Sequence, residues 1–195
     1  MRRKVSNRAN NLTNTTGREI WIYYENDKGQ EQKMLYTAGM EYKGNNSFVS
    51  NSILYLNSIY SNGASKMLDV LISSSNAFDI KNLAATDGEG NVKAEEFKFS
   101  GSASGGGTLY AAAFGNPEVS EYNKVGALVH ELFHGLQHEK GQGGTSIFNE
   151  VEANVYSDKV TSNWMLNTDY FGAMGTTGLG NQTVQGTIYE NAFEN

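Results

Sequence analysis

The stretch Val129-His130-Glu131-Leu132-Phe133-His134-Gly135-Leu136-Gln137 lies inside the clearest helical pattern of this 195-residue chain. Apolar residues recur there at intervals of three and four residues: Val125, Leu128, Val129, Leu132, Phe133 and Leu136. This spacing predicts an amphipathic helix of about four turns or more. The helix should end near Lys140-Gly141, because a basic residue followed by glycine favours a C-terminus.

The two histidines of this stretch are four residues apart, so their imidazoles should project from one face of the helix. This spacing lets His130 and His134 reach a single metal ion. Glu131 follows the first histidine and can face water at that ion as a general base. The chain has only three histidines, so chance would rarely produce this motif. The motif therefore predicts a metal-dependent hydrolase.

The remaining metal ligand must come from a short list, because the chain has no cysteine. A catalytic zinc site needs a third protein ligand and one open position. His138 lies eight residues after His130, about 12 Å along the helix axis, so the three histidines of one straight helix cannot converge on one ion. We expect His138 to be a partly exposed histidine near the rim of the cleft.

Two carboxylates after the next loop can supply the third ligand, Glu150 and Glu152. A step of two residues turns a side chain by about 200° on a helix, so only one of them can face the metal. Glu150 shares its face with Asn154, whose side chain can hold a ligand histidine. Val151 and Val155 are expected to mark the buried stripe beside them. Glu150 is therefore favoured, with Glu152 as the alternative.

The other elements predict an α+β fold in which a small, mostly antiparallel sheet packs against the motif helix and further helices. The segment Thr108–Phe114 is expected to be an edge strand that pairs with an extended substrate. The pattern further predicts a hairpin over 19–37, helices over 48–60 and 67–72 separated by Gly63, strands at 77–80 and 97–99, a flexible connection over 101–107, and a helix from Asn149 through Trp164.

Charge is unevenly distributed along the chain. The first 18 residues contain all four arginines and Lys4 and no acid, so with a net charge of -6 the remaining residues sum to -11. An acidic body argues against nucleic acid as a partner. No apolar run approaches the roughly 20 residues of a membrane span, and no apolar stretch of a secretory signal follows the basic start. Residues 1–17 are expected to form a flexible basic segment, and 18–195 a single domain.

The pattern His130-Glu131-x-x-His134 followed by Asn149-Glu150-x-x-x-Asn154 resembles that of the gluzincins. In that clan the two histidines and the later glutamate bind zinc, and the motif glutamate activates water. The resemblance implies one Zn²⁺ held by His130, His134 and Glu150, with Glu131 as the general base. The sequence departs from the pattern at Asn154, where many members have aspartate.

A narrower resemblance rests on residues 130–137 and 148–154. These segments are similar to the metallopeptidase toxin domains at the C-terminal ends of bacterial Rhs/YD-repeat polymorphic toxins, and in turn to some type III secreted effectors. The specific match covers about 124–160 and a weaker one covers 34–80. The resemblance implies a zincin-like fold and a zinc endopeptidase with a polypeptide substrate. It also implies a cognate inhibitor or immunity protein, and secretion or delivery into another cell by a non-classical route.

Two alternatives to the peptidase interpretation follow from the same residues. One is a zinc-binding domain without catalytic activity that acts in adhesion or interaction. The other is a binding domain without metal in which the motif is accidental. In the peptidase interpretation a tyrosine, Tyr156 or Tyr170, can stabilise the oxyanion, although packing in the core is the alternative role for both.

Overall fold

The computed structural model describes residues 19–94 and 96–168, and its class is α+β. The sequence-predicted segment 1–17 and the chain beyond Thr168, including Tyr170, lie outside the described residues. The elements are β1 (Ile20–Glu25), β2 (Glu31–Leu35), α1 (Ser47–Ile59), α2 (Ser65–Ser73), β3 (Phe78–Lys81), β4 (Ala85–Thr86), β5 (Val92–Lys93), β6 (Lys98–Gly101), β7 (Gly107–Tyr110), α3 (Glu121–Glu139) and α4 (Ile147–Asn167).

The main sheet has five strands in the order β2-β1-β3-β7-β6. The outer pairs β1–β2 and β6–β7 are antiparallel, whereas β1–β3 and β3–β7 are parallel. The expectation of a mostly antiparallel sheet is therefore wrong, and the sheet is mixed. Parallel neighbours need a long crossover, which α1 and α2 provide between β2 and β3. Short turns close the two outer hairpins of this sheet, and another joins β4 to β5 in a separate two-stranded sheet.

The strand predicted at the edge of the sheet lies in its interior. β7 ends at Tyr110 and has β3 on one side and β6 on the other. The chain then forms a 3-10 turn over Ala112–Gly115, so the predicted strand 108–114 is too long. The glycine-rich connection after β6 closes a hairpin with β7, so β6 covers one edge of β7. β6 is the edge strand that lies beside α3.

The first pair of helices follows the sequence prediction closely. Asn46 caps α1 by accepting a hydrogen bond from the backbone N–H of Val49 at 3.1 Å. Gly63 has a φ of 113° within a short π-helical segment, and this positive angle separates α1 from α2. Glycine adopts such a backbone conformation without the steric strain of a side chain. The predicted break at this residue is confirmed.

The core occupies one face of the sheet, where the helices pack. On that face β1, β3 and β7 contribute Ile20, Ile22, Phe78, Ile80 and Leu109. From α3 the buried apolar residues are Val125, Leu128, Val129, Leu132 and Leu136. The motif helix is therefore held against the sheet by the apolar stripe that the sequence predicts.

α4 packs on α3 through small side chains rather than through Val151 and Val155. The Ser157 hydroxyl donates to the carbonyl oxygen of Gly126 at 2.6 Å, and Ala153 is fully buried beside it. Val151 is 51% exposed, so the predicted stripe of Val151 and Val155 is wrong. Close approach of the two helix backbones requires small residues, and this requirement decides which face of α4 is buried.

Candidate functional site

Three side chains from two helices meet at one point. The Nε2 atoms of His130 and His134 are 3.0 Å apart. Glu150 places Oε2 3.3 Å from Nε2 of His130 and Oε1 3.4 Å from Nε2 of His134. Ligand atoms about 2.0–2.1 Å from a tetrahedral zinc ion are separated by about 3.3 Å. Both the donor set and its spacing therefore fit Zn²⁺.

The alternative ligand, Glu152, does not join this cluster. Its Oε2 accepts a hydrogen bond from Nε2 of Gln137 at 3.1 Å. The group of potential ligands among the described residues consists of His130, His134 and Glu150, with all their ligand atoms within 4.8 Å of one another. The structure thus brings together the three residues that the sequence favours as ligands.

Gln137 fixes the orientation of the second histidine, a role that the sequence analysis does not identify. Its amide Nε2 donates to the carbonyl oxygen of Asn149 at 3.0 Å and to Glu152. Its Oε1 must therefore be the atom that lies 2.9 Å from Nδ1 of His134. Because that oxygen only accepts, Nδ1 carries the proton and Nε2 is free to bind a metal. The signal in the sequence is a polar residue three positions after the histidine.

The first histidine has a corresponding partner on α4. The side chain of Asn154 hydrogen-bonds to the imidazole of His130, the role predicted for it. Burial, and then the neighbouring His134, lower the pKa of His130. A lowered pKa favours the neutral imidazole, which is the form that binds metal ions.

Glu131 lies beside the ligand cluster, in a partly buried position. The backbone N–H of Phe99 in β6 donates to its Oε2 at 2.6 Å. Burial raises the pKa of the Glu131 carboxyl to about 7, although the Phe99 hydrogen bond acts in the opposite direction. A carboxyl group that titrates near neutrality is suited to accept and return a proton.

All four residues line one cleft of about 450 Å³. β6 forms one wall, α3 forms the floor, and the first turn of α4 with the loop before it forms the other wall. Along the cleft, β6 contributes Lys98, Phe99, Ser100 and Gly101, and the loop contributes Gly143, Gly144 and Thr145. The edge of β6 that faces away from β7 borders the cleft, so extended backbone can be placed beside the ligand cluster.

His138 lies at the rim, as predicted, and outside the ligand cluster. Its Nε2 is 2.8 Å from the carbonyl oxygen of Ser102, in the connection between β6 and β7. A Cβ atom on Gly101 would lie 2.8 Å from this ring, and one on Gly143 would lie 2.7 Å from it. A side chain at either position would therefore displace the His138 ring, which contacts the end of β6 and the loop after α3 at one end of the cleft.

Tyr156 has the packing role rather than a place in the cleft. Its ring centroid lies 4.8 Å from that of Phe133, and its hydroxyl donates to the carbonyl oxygen of Gly63 at 3.3 Å. The prediction of Tyr170 as an alternative falls outside the described residues. Tyr156 therefore gives no support to the predicted oxyanion role.

No protein-family model, curated protein or solved structure matches this chain. Among the helices of residues 19–94 and 96–168, none combines the length and apolar character that crossing a membrane requires.

Proposed function

We propose that this protein is a zinc-dependent metallohydrolase and, within that class, an endopeptidase. The observation that carries the proposal is the convergence of His130, His134 and Glu150, with ligand atoms within 4.8 Å of one another, beside Glu131 in one cleft. A carboxyl group next to a His₂Glu ligand set is the arrangement that metal-assisted hydrolysis requires.

Each residue has a separate task in this proposal. A bound Zn²⁺ supplies electrophilic polarisation of a substrate carbonyl and lowers the pKa of water. Glu131 accepts the proton of the attacking water and returns it to the leaving amine. The hydrogen bond from Phe99 holds the Glu131 carboxylate in place. Gln137 and Asn154 keep the two imidazoles in their binding orientation.

The wall formed by β6 supports a polypeptide as the substrate. The strand pairs with β7 on one side only, and its other edge borders the cleft beside Glu131. An extended peptide can add to such an edge through main-chain hydrogen bonds, which do not depend on its side chains. This role belongs to β6 rather than to the interior strand β7.

The proposal is tested with untagged protein in two measurements. Metal analysis should find about one Zn²⁺ per chain, the number expected for one catalytic site. Cleavage of a denatured protein such as casein should stop when the metal is chelated and return when zinc is added. Zinc binding without cleavage of any substrate would favour the non-catalytic interaction domain, and folded, active protein without metal would exclude both.

The resemblance of residues 130–137 and 148–154 to toxin domains supports a second part of the proposal, a role as a delivered effector. In this role a cognate immunity protein would protect the producing cell. Expression in bacterial cytoplasm should slow growth or produce discrete cleavage of host proteins, and Glu131→Gln should relieve both effects. Equal growth with both forms in several hosts would contradict the toxin role and leave the enzyme activity untouched.

A further inference from the structure

A second cavity of about 470 Å³ lies along α3 from the ligand cluster. It is lined by Glu96, Phe97, Glu118, Val119, Asn123 and Ala127. None of these residues has a part in the proposed hydrolytic chemistry. The cavity is similar in size to the catalytic cleft. It is lined by α3, which also lines the cleft, and by the segment that leads into β6.

Two spacings along the chain describe how far the residues of this cavity lie from Glu131 and from Phe99. Ala127 lies four residues before Glu131 on α3, which is about 6 Å along the helix axis. Phe97 lies two residues before Phe99, which is about 6.6 Å in an extended chain. Both spacings are close to the length of two residues of extended peptide. A peptide that lay along β6 with its reacting carbonyl beside Glu131 would therefore bring the side chain two residues away toward this cavity.

The lining combines apolar walls with acidic groups. Phe97 is buried, and Val119 and Ala127 are half-buried, whereas the side chains of Glu96 and Glu118 are exposed. No lysine of the described residues forms a salt bridge with either carboxylate. Long basic side chains bury their methylene groups on apolar surface and keep the charged group in water beside acids. A side chain of that kind matches both parts of the cavity.

We propose that this cavity is a subsite that binds a lysine or arginine side chain of the substrate, two residues from the bond that is cleaved. The proposal rests on the proposed peptidase function and adds the class of substrate. The aliphatic part of the side chain contacts Phe97, Val119 and Ala127. The cationic group lies between Glu96 and Glu118, so an acidic residue at the same position is disfavoured.

Binding is measured with full-length Glu131→Gln protein loaded with zinc, so that peptides are not consumed. The probes are alanine–glycine hexapeptides that carry lysine, norleucine or glutamate at each position in turn. At one position lysine should bind about two- to fivefold more tightly than norleucine, the size expected for an exposed ion pair. The preference should weaken as salt increases. Amide chemical shifts should change at Val119 and Ala127.

The variants Glu96→Gln and Glu118→Gln, separately and combined, should reduce this preference and leave norleucine binding intact. Glu41→Gln, an exposed glutamate outside both cavities, is the matched control and should change nothing. Equal binding of lysine and norleucine peptides at every position would overturn the proposal. A preference for lysine that survives the double substitution would also overturn it.

Cleavage by wild-type protein separates this proposal from the function on which it rests. Mass spectrometry of the products should find lysine or arginine two residues from the cleaved bond. Cleavage without any basic preference at that position overturns the subsite and leaves the peptidase standing. A lysine preference in binding, with shifts at Val119 and Ala127 but no cleavage by wild type, supports the basic subsite and contradicts the enzyme.

Discussion

Two partly buried carboxyl groups of this protein lie in contrasting surroundings, one in the cleft and one on the outer face of the sheet. Glu131 in the cleft accepts the backbone N–H of Phe99. Asp79 in β3 lies on the face opposite the core, where its nearest cation is Lys81 at 4.0 Å. Burial is the largest cause of the raised pKa of both groups.

The difference between them lies in their neighbours. Glu131 shares a cleft with three potential metal ligands, whereas Oδ1 of Asp79 is buried without a hydrogen-bond partner among the described residues. A raised pKa alone therefore does not identify a catalytic acid, because structural positions also perturb titration. In the proposed function, Glu131 differs from Asp79 by its location beside three potential metal ligands. Substitutions in the two regions can test this comparison.

The largest effect is expected from Glu131→Gln. This change removes the base without removing a ligand, so kcat/KM should fall by about 10²- to 10⁴-fold while zinc content is unchanged. Asp79→Asn is the matched control in the other region and should stay within twofold of wild type. Steady-state cleavage of one peptide by all three proteins provides the measurement. Equal losses in both variants would remove the distinction between the regions.

The next effect concerns the two glutamates at the start of α4. Glu150→Ala should weaken zinc binding at least tenfold, because it removes a ligand, and loss of even a partner of a ligand costs about 10- to 100-fold. Glu152→Ala should remain within a few-fold, since Glu152 contacts Gln137 and no ligand histidine. Competition with a chelator measures both. The reverse order of the two affinities would show that Glu152 is the ligand.

A smaller loss is expected from Gln137→Leu, which keeps a side chain of similar size but leaves Nδ1 of His134 without its acceptor. Zinc affinity should fall by about tenfold, at the lower end of the range for such partners. Gln142→Leu, at an exposed position in the following loop, is the control. Thermal unfolding of both variants without metal shows whether the loss of zinc affinity is accompanied by a loss of stability. An unchanged affinity would mean that Gln137 only packs the helices together.

The smallest effect is expected for the free energy of unfolding when Asp79, on the outer face of the sheet, is replaced. The folded-state pKa of Asp79 is raised, so the protonated acid is favoured, and its contribution to stability is lost as pH rises through that pKa. Asp79→Asn should therefore stabilise the protein at pH 7 by about 1 kcal/mol, because it removes a partly buried negative charge that burial disfavours. The gain should vanish toward pH 4, near the pKa of an unfolded aspartate.

Denaturant unfolding at several pH values measures this gain. Asp158→Asn, at an exposed position on α4, serves as the control and should show a smaller change. Destabilisation by Asp79→Asn at pH 7 would show that the charge of Asp79 contributes to the fold through Lys81. In that case ionisation of the Asp79 carboxyl would stabilise the folded protein instead of destabilising it.

The local elements of this protein are determined by its sequence. Apolar spacing fixes α3, Gly63 fixes the break before α2, and the helical pitch brings His130 and His134 to one face. These features depend on neighbours within about one turn of helix, where periodicity and backbone preference act directly. The favoured third ligand, Glu150, also follows from helical pitch. Val151 and Val155, which the sequence predicts to mark the buried face of α4, are not among its buried residues.

The arrangement of the elements was decided only by the tertiary structure. Whether β7 lies inside the sheet depends on pairings between strands distant in the chain, and such pairings leave no period in the sequence. The hydrogen bond from the Phe99 amide to Glu131 is also absent from any sequence pattern. Every residue but proline has an N–H, and only the packing of β6 against α3 directs that of Phe99 toward Glu131. Gln137 reaches His134 and Asn149 together because Ala153 and Ser157 allow α4 to approach α3 closely.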